Sequence, residues 1–507
     1  MRRQAVRSAG ATVSASGVSL ASQVIGTAVL ARLLTPADFG VVTMVTTFSL
    51  LLVSFGLNGF TEAVIQCEDI DHYTASNLFW LNLGAGLVVA VAFALSGSLL
   101  ARFYRNALVV SVAAAVSGQI FITAGSVIHL ALLKRAMRFT AVAGNDVASR
   151  TVYTAVAIIL ALRGWGYWAL VAGLVASSLS VTVGAWWLCR WIPSLPRRTG
   201  RTVPLVRFAA SVYVRFGIWY FRQNADNLLV GWRFNAVALG FYKKAYDLFA
   251  LSASQLTAPL DHVALAALSR LNQDPPRFRQ TLANSIGFIA FVGMAVGGDL
   301  TLVGKDIVRL VLGPQWGEAG KIFMFFGPGI GIMLLSSTVG WIHLSIGRPD
   351  RWLYWSILEF VVTALLFIVA LHWGPEGIAL AWSASFWILV VPAFWYAGRP
   401  IGLRATSFIR IVWKYSTASF VAVWAATGIV PGLPLPSALA TAGATLERVV
   451  VISAVFVALY LGLVILLHRG CAPLRQLASL VLEFAPVRRT EALQAATEEN
   501  YPQPAPR

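Results

Sequence analysis

The stretch Phe208–Phe234, FAASVYVRFGIWYFRQNADNLLVGWRF, decides how the rest of this chain is read. It is long and apolar enough to cross a bilayer, yet it carries Arg215, Arg222 and Asp226, with Gln223, Asn224 and Asn227 beside them. At 3.6 residues per turn, positions 215, 219, 222 and 226 share one helical face, and Arg222 and Asp226 stand at i and i+4. A charge at membrane depth costs from about 3 to more than 10 kcal/mol, so it persists only beside water or a partner. Two readings follow. Either this helix lines a polar route, or an ion pair locks it to a neighbouring helix.

Composition agrees that the stretch is a span. The chain has 507 residues, of which 58% are hydrophobic and 12% charged, and its mean hydropathy is +0.73. Soluble domains carry about 25% charged residues, so the fold class is an all-α polytopic membrane protein. In a soluble chain a net charge of +18 would point to nucleic acid. Here the basic residues sit in short clusters between apolar runs, a positive-inside pattern, and no nucleic-acid partner is expected. Cys67, Cys189 and Cys471 lie far apart, without the spacing of a disulfide framework or a metal site, and no metal or other cofactor is expected. No GxxxxGK[ST] motif occurs, which argues against ATP hydrolysis. The N-terminal MRRQAVR leads into an apolar run without a cleavage signal and reads as an uncleaved first span.

About fourteen spans of roughly 20 residues follow one another. They are centred near 23, 52, 90, 120, 152, 178, 220, 256, 292, 332, 361, 386, 421 and 456, with the first, fifth, seventh and eighth the least hydrophobic. With the N-terminus inside, 25 of the 39 Lys and Arg fall in cytoplasmic segments, 11 outside and three within spans. That bias predicts an even span number and both termini in the cytoplasm.

A repeat organises the spans. Ala31–Val41, ARLLTPADFGV, and Gly231–Phe241, GWRFNAVALGF, each close one span and pass through a short turn to a glycine, Gly40 and Gly240, 200 residues apart. Two six-helix bundles related by a parallel repeat, with a site between them, would follow. The expected domains are residues 1–190 and 208–398, joined by a basic cytoplasmic linker at 191–207. Two additional helices at 399–468 and a cytoplasmic tail at 469–507, with a Pro-rich and disordered end, complete the chain. Within the first turn, Thr35 suits an N-cap, Pro36 the first helical position and Asp38 the third. Capping is the simpler account of Asp38 than a direct functional role.

The runs LARLLTPADFG, GLNGFTEAVIQ, FWLNLGAGL, LLARFY, GYWALVAG, ADNLLVG, LGFYKKAYDL, ALAALSRLNQDP and VRLVLGPQW, in that order from about residue 10 to 400, carry a family resemblance. The chain resembles the polysaccharide transporter branch of the multidrug/oligosaccharidyl-lipid/polysaccharide exporter superfamily, and within it the Wzx-type, WzxC-like flippases. The resemblance implies a bacterial inner-membrane protein that moves a polyprenyl-diphosphate-linked oligosaccharide between leaflets by alternating access. It implies exopolysaccharide, capsule or O-antigen biosynthesis, with a polysaccharide polymerase and chain-length proteins as partners. Arg222, Asn224, Asp226 and Asn227 match its span-seven pattern. Arg215 rests on the physical argument alone.

A diphosphate crossing a membrane needs cations along a hydrated path, and arginine's planar fork suits phosphate. Arg215 and Arg222 would supply them, with Asp226 tempering affinity. Amides and aromatic faces suit sugar hydroxyls, which Asn224, Asn227, Trp219 and Tyr220 offer, although an interfacial belt equally accounts for the two aromatics. Asp146 and Arg150 form another (i, i+4) pair, either a self-contained bridge or part of a cavity lining. Glu359 stands alone in LYWSILEFVVTALLF and must be protonated or partnered; with Asp226 it is a candidate coupling-ion site. His129 and His343 read as satisfied polar residues. Lys243, Lys244 and Asp247 either rim the outer mouth or anchor at the interface. The small residues of span one, Ser14 to Gly26, suit close helix packing or border the cleft.

Two other functions compete. A membrane glycosyltransferase or polymerase needs catalytic groups on sizeable outer loops, and the longest, about Gly304–Gly320 and Val430–Leu446, are short. An enzyme is therefore not expected. A drug exporter would favour acids in a more apolar cavity, whereas the span-seven arginines favour an anion.

Overall fold

The computed structural model describes residues 23–67, 69–197, 202–272, 274–434, 441–471 and 474–475. Ser14, Ser16, Ser19 and Ser22, the basic N-terminus and the Pro-rich tail lie outside the described residues. What is described is helical throughout, without strands. The helices are α1 (Gln23–Leu33), α2 (Pro36–Gln66), α3 (His72–Tyr104), α4 (Leu108–Ala124), α5 (Val127–Arg135), α6 (Phe139–Leu162), α7 (Tyr167–Cys189) and α8 (Thr202–Arg233). They continue as α9 (Ala236–Arg270), α10 (Pro275–Leu312), α11 (Gly317–Ser345), α12 (Pro349–Ala370), α13 (Gly374–Gly398), α14 (Ala405–Ile429) and α15 (Ala442–His468).

With α4 and α5 taken as one broken rod, each of the fourteen expected centres falls in its own helix, and the chain is an all-α polytopic membrane protein. Eight stretches of the described chain are long and apolar enough to cross a membrane. The helices outside those stretches are α1, α6, α8, α9 and α14, of which the first four are the spans expected to be least hydrophobic. A 32-residue α8 and a 38-residue α10 reach about 48 and 57 Å at 1.5 Å per residue, well beyond a hydrocarbon core of roughly 30 Å.

The described chain divides into two compact units. One holds α1–α8, the start of α9 to Leu248, and the segments Ile307–Phe323 and Ser356–Trp382. Its centre is built from α2. The N-terminus of α2 is closed by a reciprocal cap, in which the Thr35 amide donates to Asp38 Oδ2 at 2.9 Å and the Asp38 amide donates to Thr35 Oγ1 at 3.3 Å. Pro36 fills the first helical position, where a missing N–H costs nothing. The capping account of Asp38 holds.

Beyond its cap, α2 crosses the start of α9 at the two repeat glycines. A Cβ at Gly40 would lie 1.7 Å from the Ala236 carbonyl oxygen, and one at Gly240 would lie 1.9 Å from that of Pro36. Each glycine thus admits the backbone at the opposite repeat turn, 196 positions on for Gly40 and 204 back for Gly240. That reciprocity is what a repeat with local two-fold symmetry produces, and glycine is required at both positions by close approach. Further along, α2 runs antiparallel to α8: Tyr220 Oη donates to the Thr47 carbonyl at 2.8 Å, Tyr213 Oη to that of Leu51 at 3.2 Å, and Gly59 abuts the Ala209 carbonyl. Trp316 is fully buried beside both turns, its ring edge-on to Phe39 and Phe241, and its Nε1 donates to the Ala31 carbonyl at 2.7 Å.

The second unit comprises Phe249–Asp306, Met324–Trp355 and the helices from Ser383 onward. Here α10 meets α11 through paired glycines, Gly293 with Gly331 and Gly297 with Gly327. The two C-terminal helices attach to α10 through its carbonyls: Ser419 Oγ donates to Met294 at 2.8 Å and Tyr460 Oη to Phe291 at 2.7 Å.

Candidate functional site

The polar stretch of α8 is held by its own unit. Arg222 Nη2 lies 2.6 Å from Glu359 Oε1 on α12, with the side chains 19% and 14% exposed. The acid that the sequence leaves alone in an apolar run therefore has a partner, and Arg222 turns to it rather than to Asp226 one turn away. This is the helix-locking ion pair of the second reading. Asp226 is fully buried; its Oδ2 accepts from Tyr242 Oη at 2.8 Å and Trp382 Nε1 at 2.9 Å, and its Oδ1 from the Asn227 amide at 2.8 Å. A buried carboxylate with three donors is a tie between α8, α9 and α13.

The amides continue that pattern. Asn224 Nδ2 donates to the Tyr220 carbonyl at 3.0 Å, and Asn227 Nδ2 reaches Asn224 Oδ1 at 3.4 Å. Asn227 is 1% exposed and its Oδ1 has no partner among the described residues. Trp219 is exposed, whereas Tyr220 is buried against Thr47. The side chain of Arg215 lies outside the described residues, so its proposed contact is not located.

A cavity of about 190 Å³ opens in the same unit between α1, α2, α6 and α9. Arg150 and Lys244 line it, with Gln23, Thr27, Tyr153 and Thr154 as its hydrogen-bonding groups. Lys244 Nζ sits 4.1 Å over the Phe39 ring and 3.7 Å from Asp247 Oδ2, while Lys243 takes Asp247 Oδ1 at 2.8 Å. Asp247 is therefore shared between two lysines. Arg150 has no ion pair among the described residues: Asp146, one turn before it, makes no bridge within 4.0 Å, and of the two it is Arg150 that lines the cavity. A chamber bordered by two cations, two threonines and an amide suits a phosphorylated, hydroxyl-rich ligand.

Lys244 was readable in the sequence only as a rim or anchor residue. The Lys-Lys-x-x-Asp spacing was its one signal, since a single acid cannot neutralise both neighbours. The two histidines differ. His129 is stacked on Trp186 at 4.3 Å and its Nε2 meets the Trp191 carbonyl at 3.1 Å, while its Nδ1 has no hydrogen-bond partner among the described residues, so the expected satisfaction is half met. His343 is buried beside Tyr396 with neither ring nitrogen hydrogen-bonded among the described residues, against the expectation of a satisfied histidine. Its neighbour Arg351 lies over the same Tyr396 ring.

The fold is similar to a lipid II flippase MurJ structure (TM-score 0.68, 14% identity, 90% of this chain and 99% of that one). It is also similar to an inward-facing multidrug resistance MATE family transporter of the MOP superfamily (TM-score 0.61, 12% identity, 76% and 94%). Residues 29–321 match the family described as polysaccharide biosynthesis protein, and the chain belongs to that family. Among its relatives are the succinoglycan biosynthesis transport protein ExoT of Rhizobium meliloti (strain 1021), 22% identical over 73% of this chain and 74% of that one, and the lipopolysaccharide biosynthesis protein WzxC of Escherichia coli (strain K12), 23% identical over 68% and 67%. The teichuronic acid biosynthesis protein TuaB of Bacillus subtilis (strain 168) is 23% identical over 70% and 74%.

Proposed function

We propose that this chain is a flippase that translocates a polyprenyl-diphosphate-linked oligosaccharide across the bacterial inner membrane for exopolysaccharide, capsule or O-antigen synthesis. Family membership supports the pathway. The observation that carries the substrate class is the cavity bordered by Arg150 and Lys244, whose charge favours a diphosphate and whose hydroxyls and amide suit sugars. The same cations disfavour the organic cations that a drug exporter would carry.

In this reading the halves at 1–190 and 208–398 alternate in access, with both termini cytoplasmic and α14 and α15 as additions. Arg150 and Lys244 make the anion contacts. Arg222 and Glu359 form a bridge between α8 and α12 that translocation must part, which makes Glu359 the better placed of the two candidate coupling-ion acids. Asp226 and Asn227 hold the α8 segment in place, Asn224 and Arg215 complete its polar face, and Asp146 tunes Arg150 from one turn away. No catalytic step is required; a polymerase and chain-length proteins would act on the product.

The test is the lipid-linked oligosaccharide pool, measured by mass spectrometry in cells lacking the protein and in cells restored with wild type or Arg150→Ala/Lys244→Ala. Deletion should accumulate one polyprenyl-diphosphate glycan, which wild type clears and the inserted double variant does not. An unchanged pool on deletion, in a strain without a second flippase, would rule out the proposal.

A further inference from the structure

A second cavity, about 580 Å³, lies in the other unit, where the first turns of α10 meet the α13–α14 connection and the start of α14. Arg279 and Arg404 border it, Gln280 and Ser407 add hydrogen-bonding groups, and its floor contains the buried side chains Ile286 and Phe408. Phe408 is fixed by stacking on Phe394 at 4.1 Å between centroids. The chamber is thus cationic at its rim and apolar beneath.

Three features make it a site rather than a gap. First, no carboxylate lines it, and neither arginine makes an ion pair among the described residues. Arg279 Nε donates to the Pro275 carbonyl of its own helix at 3.1 Å, which ties the guanidinium back to α10 while the residue lines the cavity. Second, α14 begins here without a side-chain cap: Arg404 is its N-cap residue and makes no capping bond, so first-turn amides add partial positive charge to that of the arginine. Third, Gly402 lines the chamber with φ +68°, a left-handed turn that glycine allows, and a Cβ there would stand 3.8 Å from Arg279 Nη1.

The level matters as well. A helix of 38 residues overshoots the hydrocarbon core, and its first turns, PPRFRQ, belong at the headgroup boundary. An arginine pair over an apolar floor at that depth matches an amphiphile with a phosphate head. Without an acid to meet an ammonium, a net anion is preferred over a zwitterion. The geometry points to this cavity as a binding site for the phosphodiester headgroup of an anionic membrane phospholipid, separate from the cavity of the transported cargo.

The experiment uses the full chain, purified in detergent, and follows thermal unfolding as dioleoyl-phosphatidylglycerol, dioleoyl-phosphatidylcholine or inorganic phosphate is added. Phosphatidylglycerol should raise the unfolding temperature of wild type, and the other two should not. Arg279→Gln/Arg404→Gln, which removes both arginine contacts, should need at least about tenfold more phosphatidylglycerol for the same shift, roughly 1.4 kcal/mol or more. Arg410→Gln, exposed on the same helix but outside the lining, should respond as wild type. An undiminished lipid response in the double variant overturns the site, and an equal loss in Arg410→Gln reduces it to general surface charge. An equal response to inorganic phosphate overturns the lipid as its ligand. If the double variant is unstable without lipid, phospholipid retained by wild type and Arg410→Gln in native mass spectrometry, with phosphatidylglycerol no more abundant than phosphatidylcholine, is a further result that rejects the proposal.

Discussion

Replacing Gly40 by alanine tests whether the two repeat turns are held together as the structure has them. The new Cβ would lie 1.7 Å from the Ala236 carbonyl oxygen, and real Cβ atoms essentially never come within 3.0 Å. The backbones of α2 and α9 must therefore part by roughly 1.3 Å, because no side chain can rotate away. Overpacking of this kind costs about 1–3 kcal/mol, and a rigid backbone acceptor places it near 3, offset by up to about 1 kcal/mol from alanine's better helix propensity. Gly240→Ala meets the Pro36 carbonyl at 1.9 Å across the same crossing, so the separation that relieves one clash relieves the other. The double variant should consequently cost little more than Gly40→Ala alone, well short of the sum of the two singles. Gly84→Ala, with nothing within 4 Å of its Cβ, is the control and should be neutral or slightly stabilising. Thermal unfolding of purified protein in detergent reads all four variants. Gly40→Ala as stable as Gly84→Ala, or a double variant that costs the full sum, would refute the reciprocal crossing.

Other outcomes follow from the polar ties. Removing one partner of the Arg222–Glu359 pair, as in Arg222→Ala or Glu359→Ala, should destabilise by about 3 kcal/mol, while Arg222→Glu/Glu359→Arg should recover much of that; a double-mutant cycle with no coupling would remove the bridge from the argument. Asp226→Asn keeps the shape but replaces one carboxylate oxygen by an amide donor facing Tyr242, Trp382 or the Asn227 amide, so about 1–3 kcal/mol of stability should be lost in the same assay. Trp316→Phe loses the bond to the Ala31 carbonyl and should cost about 1 kcal/mol or more, with protein yield in membranes as a second readout. Arg150→Lys, which keeps the charge but not the planar fork, should clear the lipid-linked pool more slowly than wild type and faster than Arg150→Ala.

Much of this molecule was legible because it is decided locally. The described helices follow from runs of about 20 residues, and the cap at Thr35–Asp38 from four adjacent side chains. The 200-residue offset of Gly40 and Gly240 was visible too, but their mutual contact was not, since a glycine in a turn also serves many other ends. The polar ties were hidden for a different reason. Arg222 and Asp226 at i and i+4 invite a local pair, and the nearer partner lost: Glu359, 137 residues on, takes the guanidinium, while Asp226 is met by Tyr242 and Trp382. Helix periodicity places a charge on a face, but which helix that face meets is a property of packing. The same holds for the cavity, whose two cations come from opposite sides of the basic linker.

Several cations of the α1–α8 unit have local partners. Arg222 is matched by Glu359, Lys243 by Asp247, and Arg32 donates to the Leu310 carbonyl at 2.9 Å. Arg135 caps the C-terminal carbonyls of α2 at Val64 and Cys67, and Arg138 the Leu188 carbonyl of α7. Each of these has a local use that needs no cargo. Arg150 has none among the described residues, and Lys244 shares an acid that Lys243 holds more closely. The two converge on one cavity, Arg150 exposed and Lys244 half-buried. That convergence is why Arg150 and Lys244, rather than the more conspicuous arginines of α8, are the residues on which the proposed transport reading rests.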